Sequence, residues 1–143
     1  MKLSPVTTGK DLVGGGTVTL ASLLGKPTAV VFWLNTCPHC RKALPEINRL
    51  RSKLPAGEQV VTAAIDAGLR GPKGFETPAA AVKTLRLKLP TILVANDVAQ
   101  KQSRVAATPT AYIIDSNGRI SQVLQPGSTD LAKTITKALA RTQ

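Results

Sequence analysis

The sequence reads AVVFWLNTCPHC from residue 29 to residue 40, an apolar run followed by two cysteines that are separated by two residues. The apolar run at 29–34 predicts a buried strand. Beyond the second cysteine, apolar residues recur every three or four positions, at Leu44, Ile47, Leu50 and Leu54. This period predicts an amphipathic helix, so the cysteine pair is expected where a strand gives way to a helix.

A position at the start of a helix predicts different roles for the two thiols. With Cys37 as the N-cap and Pro38 as the first helical residue, the Cys37 sulfur would face unpaired N–H groups and the positive end of the helix dipole. These groups stabilise a thiolate, and a charged His39 would stabilise it further. Cys40 extends the apolar stripe of the helix. We therefore predict that Cys37 is the exposed nucleophile and Cys40 the buried resolving thiol.

Other uses of a CxxC motif fit this chain less well. A zinc site needs four ligands, whereas the chain has two cysteines and one histidine. Covalent haem attachment needs a histidine at the position of Arg41, and an iron–sulfur cluster needs more cysteines. A purely structural disulfide would close a loop too short to constrain the unfolded chain. The motif therefore indicates thiol redox chemistry, with no metal and no organic cofactor expected.

Composition limits the remaining function classes. The 143 residues, 43% of them hydrophobic, predict one domain over 1–143. No apolar run approaches the roughly 20 residues of a membrane span, and no signal peptide is visible. A formal net charge of +11 suggests an anionic partner. Lys and Arg are spread along the chain and aromatic residues make up 3%, so nucleic acid is not expected, whereas an acidic partner or anionic lipid stays open.

The rest of the chain alternates strand and helix patterns. Strands are predicted at 17–20, 28–34, 58–66, 91–94, 110–114 and 120–124. Helices or helical turns are predicted at 23–27, after Cys37, after a Thr77-Pro78 cap, at 96–103 and after a cap at Ser128 or Thr129. A Ser-Asn-Gly turn joins the last two strands into a hairpin. This order predicts a mixed sheet flanked by helices on both faces.

Two segments carry a resemblance to the thioredoxin superfamily, namely FWLNTCPHC at 32–40 and ATPTAYIID at 107–115. More narrowly, the chain resembles the TlpA/ResA/DsbE-like thiol–disulfide oxidoreductases, through Gly25-Lys26-Pro27 and an extra strand–helix segment between residues 67 and 107. The resemblance implies an α/β, thioredoxin-like fold with a central mixed sheet, an N-terminal β extension and a central strand–helix insertion.

The resemblance also implies a substrate site. Pro109 would be cis and face the cysteine pair, the backbone of Thr108 would pair with the bound substrate, and Trp33 would contribute to substrate binding. X–Pro is the one bond at which a cis peptide costs little. The family further implies a monomer that acts on protein thiols and disulfides with a redox partner protein. Its implied location is the periplasm or cell envelope, and the cytoplasm stays open.

The chain departs from the family pattern at the proton-transfer positions. Val31 stands where thioredoxins carry a buried acid, and Ala43 stands where many TlpA-like proteins have Glu. The Cys40 proton is therefore expected to pass to water, to His39 or to a carboxylate such as Glu46 or Asp66. The Pro-His dipeptide between the cysteines is that of the oxidising DsbA proteins. The alternatives are a DsbA-like dithiol oxidase, a peroxiredoxin-like peroxidase and a redox-inert binding, chaperone or copper-carrying module, although copper would need a histidine distant from His39.

Overall fold

The computed structural model describes residues 8–23, 25–102, 105–127 and 130–142. In these ranges the strands are β1 (Thr8–Lys10), β2 (Thr17–Thr19), β3 (Thr28–Trp33), β4 (Gln59–Asp66), β5 (Thr91–Ala95), β6 (Thr110–Ile114) and β7 (Ile120–Leu124). The α-helices are α1 (Leu20–Leu23), α2 (Pro38–Lys53), α3 (Pro78–Leu85) and α4 (Leu131–Thr142), and Val98–Gln102 forms a π-helical turn. Among these described helices, none is both long and apolar enough to cross a bilayer.

Five strands form one mixed sheet in the order β5-β4-β3-β6-β7. The central strand β3 runs parallel to β4 and antiparallel to β6, and β6 and β7 form the predicted hairpin. All six residues of β3 are buried because elements cover both faces of the sheet. The predicted mixed α/β fold is therefore confirmed, and the carboxyl end of its central strand leads directly to the cysteine motif.

Side chains alternate between two apolar layers along β3. Ala29 and Val31 pack with α2 and α4, and Trp33, on the same face, packs with α2 and α3. Val30 and Phe32 point to the opposite face, where the π-helical turn covers them through Ala99. The helices α2, α3 and α4 therefore lie together on one face of the sheet.

A short hairpin of β1 and β2 covers the sheet edge at β5. The Leu12 amide donates to the Thr91 carbonyl at 2.8 Å, and an Asp11 carboxylate oxygen accepts from the Thr91 amide at 3.3 Å. Gly9 allows the close approach, because a Cβ there would lie 1.9 Å from the Leu93 carbonyl oxygen. The hairpin thus shields an edge that would otherwise present unpaired backbone groups.

Several element ends differ from the sequence prediction. The helix α3 begins after the predicted Thr77 cap but ends at Leu85, since Arg86 adopts a left-handed conformation with φ 54°. The helix α1 begins at Leu20, whereas the sequence predicted a helical turn at 23–27. The predicted caps Ser128 and Thr129 lie outside the described residues, and Asp130 instead accepts from the Lys133 amide at the start of α4.

Candidate active site

The cysteine motif forms the first turn of α2, as predicted. Cys37 is the N-cap, with extended backbone angles of φ −88° and ψ 113°, and Pro38 is the first helical residue. The Cys37 sulfur accepts a hydrogen bond from the Cys40 amide at 3.2 Å. Proline suits this position because the first N–H of a helix has no partner within the helix. Both cysteines are free thiols, so the structure represents the reduced state.

Burial distinguishes the two thiols. Cys37 is half-buried, whereas Cys40 is 0% exposed and packs among Trp33, Leu44 and Ala81. Burial, with a smaller contribution from the adjacent Cys37 side chain, raises the pKa of the Cys40 thiol from its ordinary 9.0 to about 12. Cys40 is consequently a protonated thiol at neutral pH. Cys37 is therefore the more accessible of the two sulfurs, and the roles of nucleophile and resolving thiol stay predictions.

The loop that immediately precedes β6 contacts the cysteine motif. The Thr108–Pro109 peptide bond is cis, as predicted, and Pro109 is buried. The Cys37 thiol donates to the Thr108 carbonyl at 3.6 Å. The contact follows from the sheet, because Thr110 of β6 pairs with Phe32 near the end of β3. The structure therefore brings Thr108 and Pro109 beside Cys37, where a substrate backbone could pair.

The structure buries Trp33, which was predicted to contribute to substrate binding, in the core. Its side chain is 1% exposed, and its indole N–H donates to the Thr62 hydroxyl at 3.1 Å. Thr62 in turn donates to the Thr91 hydroxyl at 2.8 Å. This correction follows from the alternation along β3, which turns residue 33 towards the face that α2 and α3 cover. Trp33 therefore packs against Cys40 within the core.

His39 and Pro38 lie on the exposed surface of the first turn of α2. The predicted role of His39 in tuning the Cys37 thiolate stays a prediction, as does the assignment of Pro38 to the catalytic motif. The proposed proton acceptors Glu46 and Asp66 are also exposed, and Glu46 forms an ion pair with Arg49. Neither carboxyl is thus buried with Cys40. Within the described ranges, no three Cys, His, Asp or Glu side chains gather in a group that could hold a metal ion.

Asn35 is a site residue that the sequence analysis missed. Its side chain is 2% exposed, and its amide nitrogen donates to the carbonyls of Leu69 at 3.1 Å and Phe75 at 2.8 Å. Arg41 strengthens this junction, because its guanidinium lies 5.1 Å from the centre of the Phe75 ring and donates to the Asn35 carbonyl at 3.4 Å. The loop after β4 is therefore fixed to the segment that immediately precedes Cys37.

Replacing Asn35 with alanine should loosen this loop and destabilise the fold. Two partly buried carbonyls would lose a donor, so we expect a loss of about 1–3 kcal/mol in unfolding free energy. Amide hydrogen exchange should rise across residues 67–76. The matched control is Asn48→Ala, since Asn48 bonds the backbone of Arg86 and Lys88, which lie outside this loop. Equal exchange at 67–76 in both variants would contradict the assignment.

Comparison with known proteins gives a family match and several similar chains. The model of the AhpC/TSA family matches residues 4–123. "Thiol-disulfide oxidoreductase YkuV" of Bacillus subtilis is 28% identical over 145 residues, which cover 97% of this chain and 95% of that protein. "Thiol-disulfide oxidoreductase ResA" of Bacillus thuringiensis is 27% identical over 112 residues, 78% of this chain. The match spans 61% of the length of ResA.

A solved structure with the same fold is that of a secreted Mycobacterium tuberculosis disulfide oxidoreductase, described as homologous to DsbE of Escherichia coli. It superposes with a TM-score of 0.74 at 21% identity and covers 95% of this chain and 96% of its own. At this identity the likeness shows the fold alone. The predicted thioredoxin-like architecture is thereby confirmed.

Proposed function

Because the chain belongs to the AhpC/TSA family, we propose that it exchanges electrons with protein thiols and disulfides through Cys37 and Cys40. The protein is a thiol–disulfide oxidoreductase, as are the relatives YkuV and ResA by name. One observation carries the residue assignment: the Cys37 sulfur meets the Cys40 amide on one side and the Thr108 carbonyl on the other. The reactive sulfur thus lies between a stabilising helix end and a backbone that can dock substrate.

The proposed reaction begins with the reduced protein. The Cys37 thiolate attacks one sulfur of a substrate disulfide, forms a mixed disulfide and releases the other substrate sulfur as a thiolate. The amide of Cys40 stabilises the attacking thiolate before the step. We assign the docking of the substrate backbone to Thr108 and Pro109, which lie beside the sulfur.

The second step uses Cys40. Its thiol loses a proton, attacks the Cys37 sulfur and releases the second substrate sulfur as a thiolate, so that two electrons have passed to the substrate. The acceptor that we propose for the proton is water or His39, because His39 adjoins Cys40 in the first turn of α2, whereas Glu46 is paired with Arg49 and Asp66 lies at the end of β4. The reverse sequence oxidises a substrate dithiol. No organic cofactor enters either direction.

Redox titration of the full chain tests the proposed function. The protein is equilibrated in glutathione buffers of graded potential, quenched with an alkylating reagent and weighed by mass spectrometry. We expect one two-electron transition between the dithiol and a Cys37–Cys40 disulfide. If both thiols are alkylated at every buffer potential, they never form a disulfide. The chain would then be a redox-inert binding module, and the proposal would fail.

The same titration tests the role of His39. Replacing His39 with proline removes the imidazole and a backbone N–H donor in the first turn of α2, so the disulfide should become less oxidising. His39 is exposed, and water screens its interaction with the Cys37 thiolate, so we expect a shift of up to roughly 20 mV. His39→Gln, which removes the imidazole and keeps the backbone N–H, should give a smaller shift. An unchanged potential in both variants would make His39 a bystander.

We propose that the protein is a monomer and that it lies in the cell envelope. The related fold in Mycobacterium tuberculosis belongs to a protein described as secreted, which supports a place outside the cytoplasm. Its substrates and its redox partner would then be proteins of that compartment. Fractionation of the source cells should recover the chain outside the cytoplasmic fraction, and sedimentation equilibrium should give a mass near 15.0 kDa. Recovery in the cytoplasmic fraction or a dimeric mass would contradict the respective assignment.

A further inference from the structure

The fold concentrates positive charge that is dispersed in the sequence. Nine of the 19 Lys and Arg residues lie in α2, α3 and α4, whereas Glu46 is the one acidic residue within these helices. The nine are Arg41, Lys42, Arg49, Arg51, Lys53, Lys83, Lys133, Lys137 and Arg141. Three helices therefore carry a net charge of +8 out of the +11 of the whole chain.

These charges share one side of the molecule. The three helices cover the same face of the sheet, and we call them together the helical layer. Eight of the nine cationic side chains are exposed, and only Arg41 is half-buried. The single carboxylate within the three helices, that of Glu46, is already paired with Arg49, and Asp130 adds one carboxylate immediately before α4. The outward side of the helical layer is thus a broad cationic surface.

The chemistry of this surface distinguishes between anionic partners. A protein partner usually meets an apolar centre, but the exposed large apolar residues of the described chain, Val13, Leu69 and Val123, all lie outside the helical layer. Binding of single-stranded nucleic acid adds aromatic stacking, and the four aromatic residues of the chain lie outside these helices. A bilayer that is rich in anionic headgroups requires only dispersed cations.

We propose that the helical layer docks on an anionic phospholipid surface. The docking is electrostatic and peripheral, because the layer offers charge without an apolar side chain to insert. Cys37 caps α2, so docking would hold the dithiol at the margin of the contact, open to membrane-associated substrates. This proposal does not depend on the redox function, since the contact uses none of the proposed catalytic residues.

The helix α4 provides the clearest contact. Lys133, Lys137 and Arg141 follow one another at intervals of four residues, which places them on one side of the helix. They line an open groove of about 230 Å³ beside Gln122 of β7. The carboxylate in this groove, that of Asp130, accepts the Lys133 amide at the start of the helix. A phosphate headgroup would meet three cations and this one carboxylate here, a net charge of +2.

Cosedimentation with vesicles tests the proposal. The full chain is mixed at low salt with vesicles of phosphatidylcholine alone and with vesicles that also contain phosphatidylglycerol, and the second measurement is repeated at high salt. The variant Lys133→Gln/Lys137→Gln/Arg141→Gln removes three charges from the helical layer. The matched control, Lys10→Gln/Lys101→Gln/Arg119→Gln, removes three exposed charges from other elements. Redox titration of both variants verifies that they fold.

We expect the unaltered chain to bind only the vesicles with phosphatidylglycerol and to dissociate at high salt. Each basic residue near an anionic membrane contributes roughly fivefold to partitioning, so the α4 variant should bind about 100-fold more weakly. The control should lose much less. The proposal is overturned if the chain ignores phosphatidylglycerol, if both variants lose binding equally, or if duplex DNA or polyglutamate binds the chain while the vesicles do not.

Discussion

Replacing Cys37 with serine should abolish turnover of protein disulfides. A serine hydroxyl does not ionise near neutral pH, and Cys40 cannot replace the lost thiolate because it is buried and burial raises its pKa to about 12. We expect turnover to fall by about three orders of magnitude or more, as when other enzymes lose their nucleophile. The measurement is the reduction of insulin with dithiothreitol as electron donor, compared with the uncatalysed rate.

The matched control for this loss is Thr36→Ser. It alters the residue beside Cys37 and leaves both thiols in place, so it should retain most of the turnover. Circular dichroism should show the same helix content in both variants. Residual turnover above about a tenth of the original in Cys37→Ser would mean that Cys40 attacks external disulfides, which its burial should prevent.

Replacing Trp33 with alanine should be the most damaging core substitution beneath the site. The side chain is 1% exposed and fills the space between β3, α2 and α3, and large-to-small changes of a buried tryptophan cost about 3–5 kcal/mol. The change also removes the donor to the Thr62 hydroxyl. Urea unfolding at constant m-value measures the loss. Leu69→Ala provides the contrast, because Leu69 is 55% exposed and its loss should change stability little.

The variant Trp33→Phe separates the structural role of this residue from the predicted contact with substrate. Phenylalanine retains most of the apolar volume and lacks the indole N–H, so the stability loss should be smaller than for alanine. If Trp33 acts only from the core, kcat/KM for insulin should stay near the original value. If the Trp33→Phe protein is stable but its kcat/KM is lowered tenfold, the result would support the substrate contact that the sequence suggested.

The features that the sequence predicted depend on local physics. The Cys37 cap, the proline at the first helical position and the burial of Cys40 follow from spacing within a few residues. The hairpin of β6 and β7 likewise follows from alternating apolar residues around a glycine-containing turn. Such patterns constrain the backbone before any tertiary contact forms. The cis geometry at Pro109 came instead from the resemblance to a family.

The features that escaped prediction depend on contacts between distant segments. Asn35 bonds carbonyls 34 and 40 residues away, so its role cannot be derived from its neighbours in sequence. The strand β1 has only three residues and no apolar alternation, and its place is determined by pairing with β2 and contact with β5. The charges of the helical layer look dispersed until the sheet brings three helices to one face. Trp33, which was assigned to substrate binding, is covered by α2 and α3 only once these helices pack on the sheet.

Trapping of the mixed disulfide tests most directly the claim that Cys37 attacks and Cys40 resolves. Cys40→Ser and Cys37→Ser are each reduced, mixed with insulin, quenched with acid and compared by mass spectrometry without reductant. We predict that Cys40→Ser accumulates an insulin adduct through Cys37, because the first attack proceeds and the second cannot. Cys37→Ser should give no adduct. Equal adducts in both variants, or an adduct in Cys37→Ser alone, would contradict the division of roles between the exposed and the buried thiol.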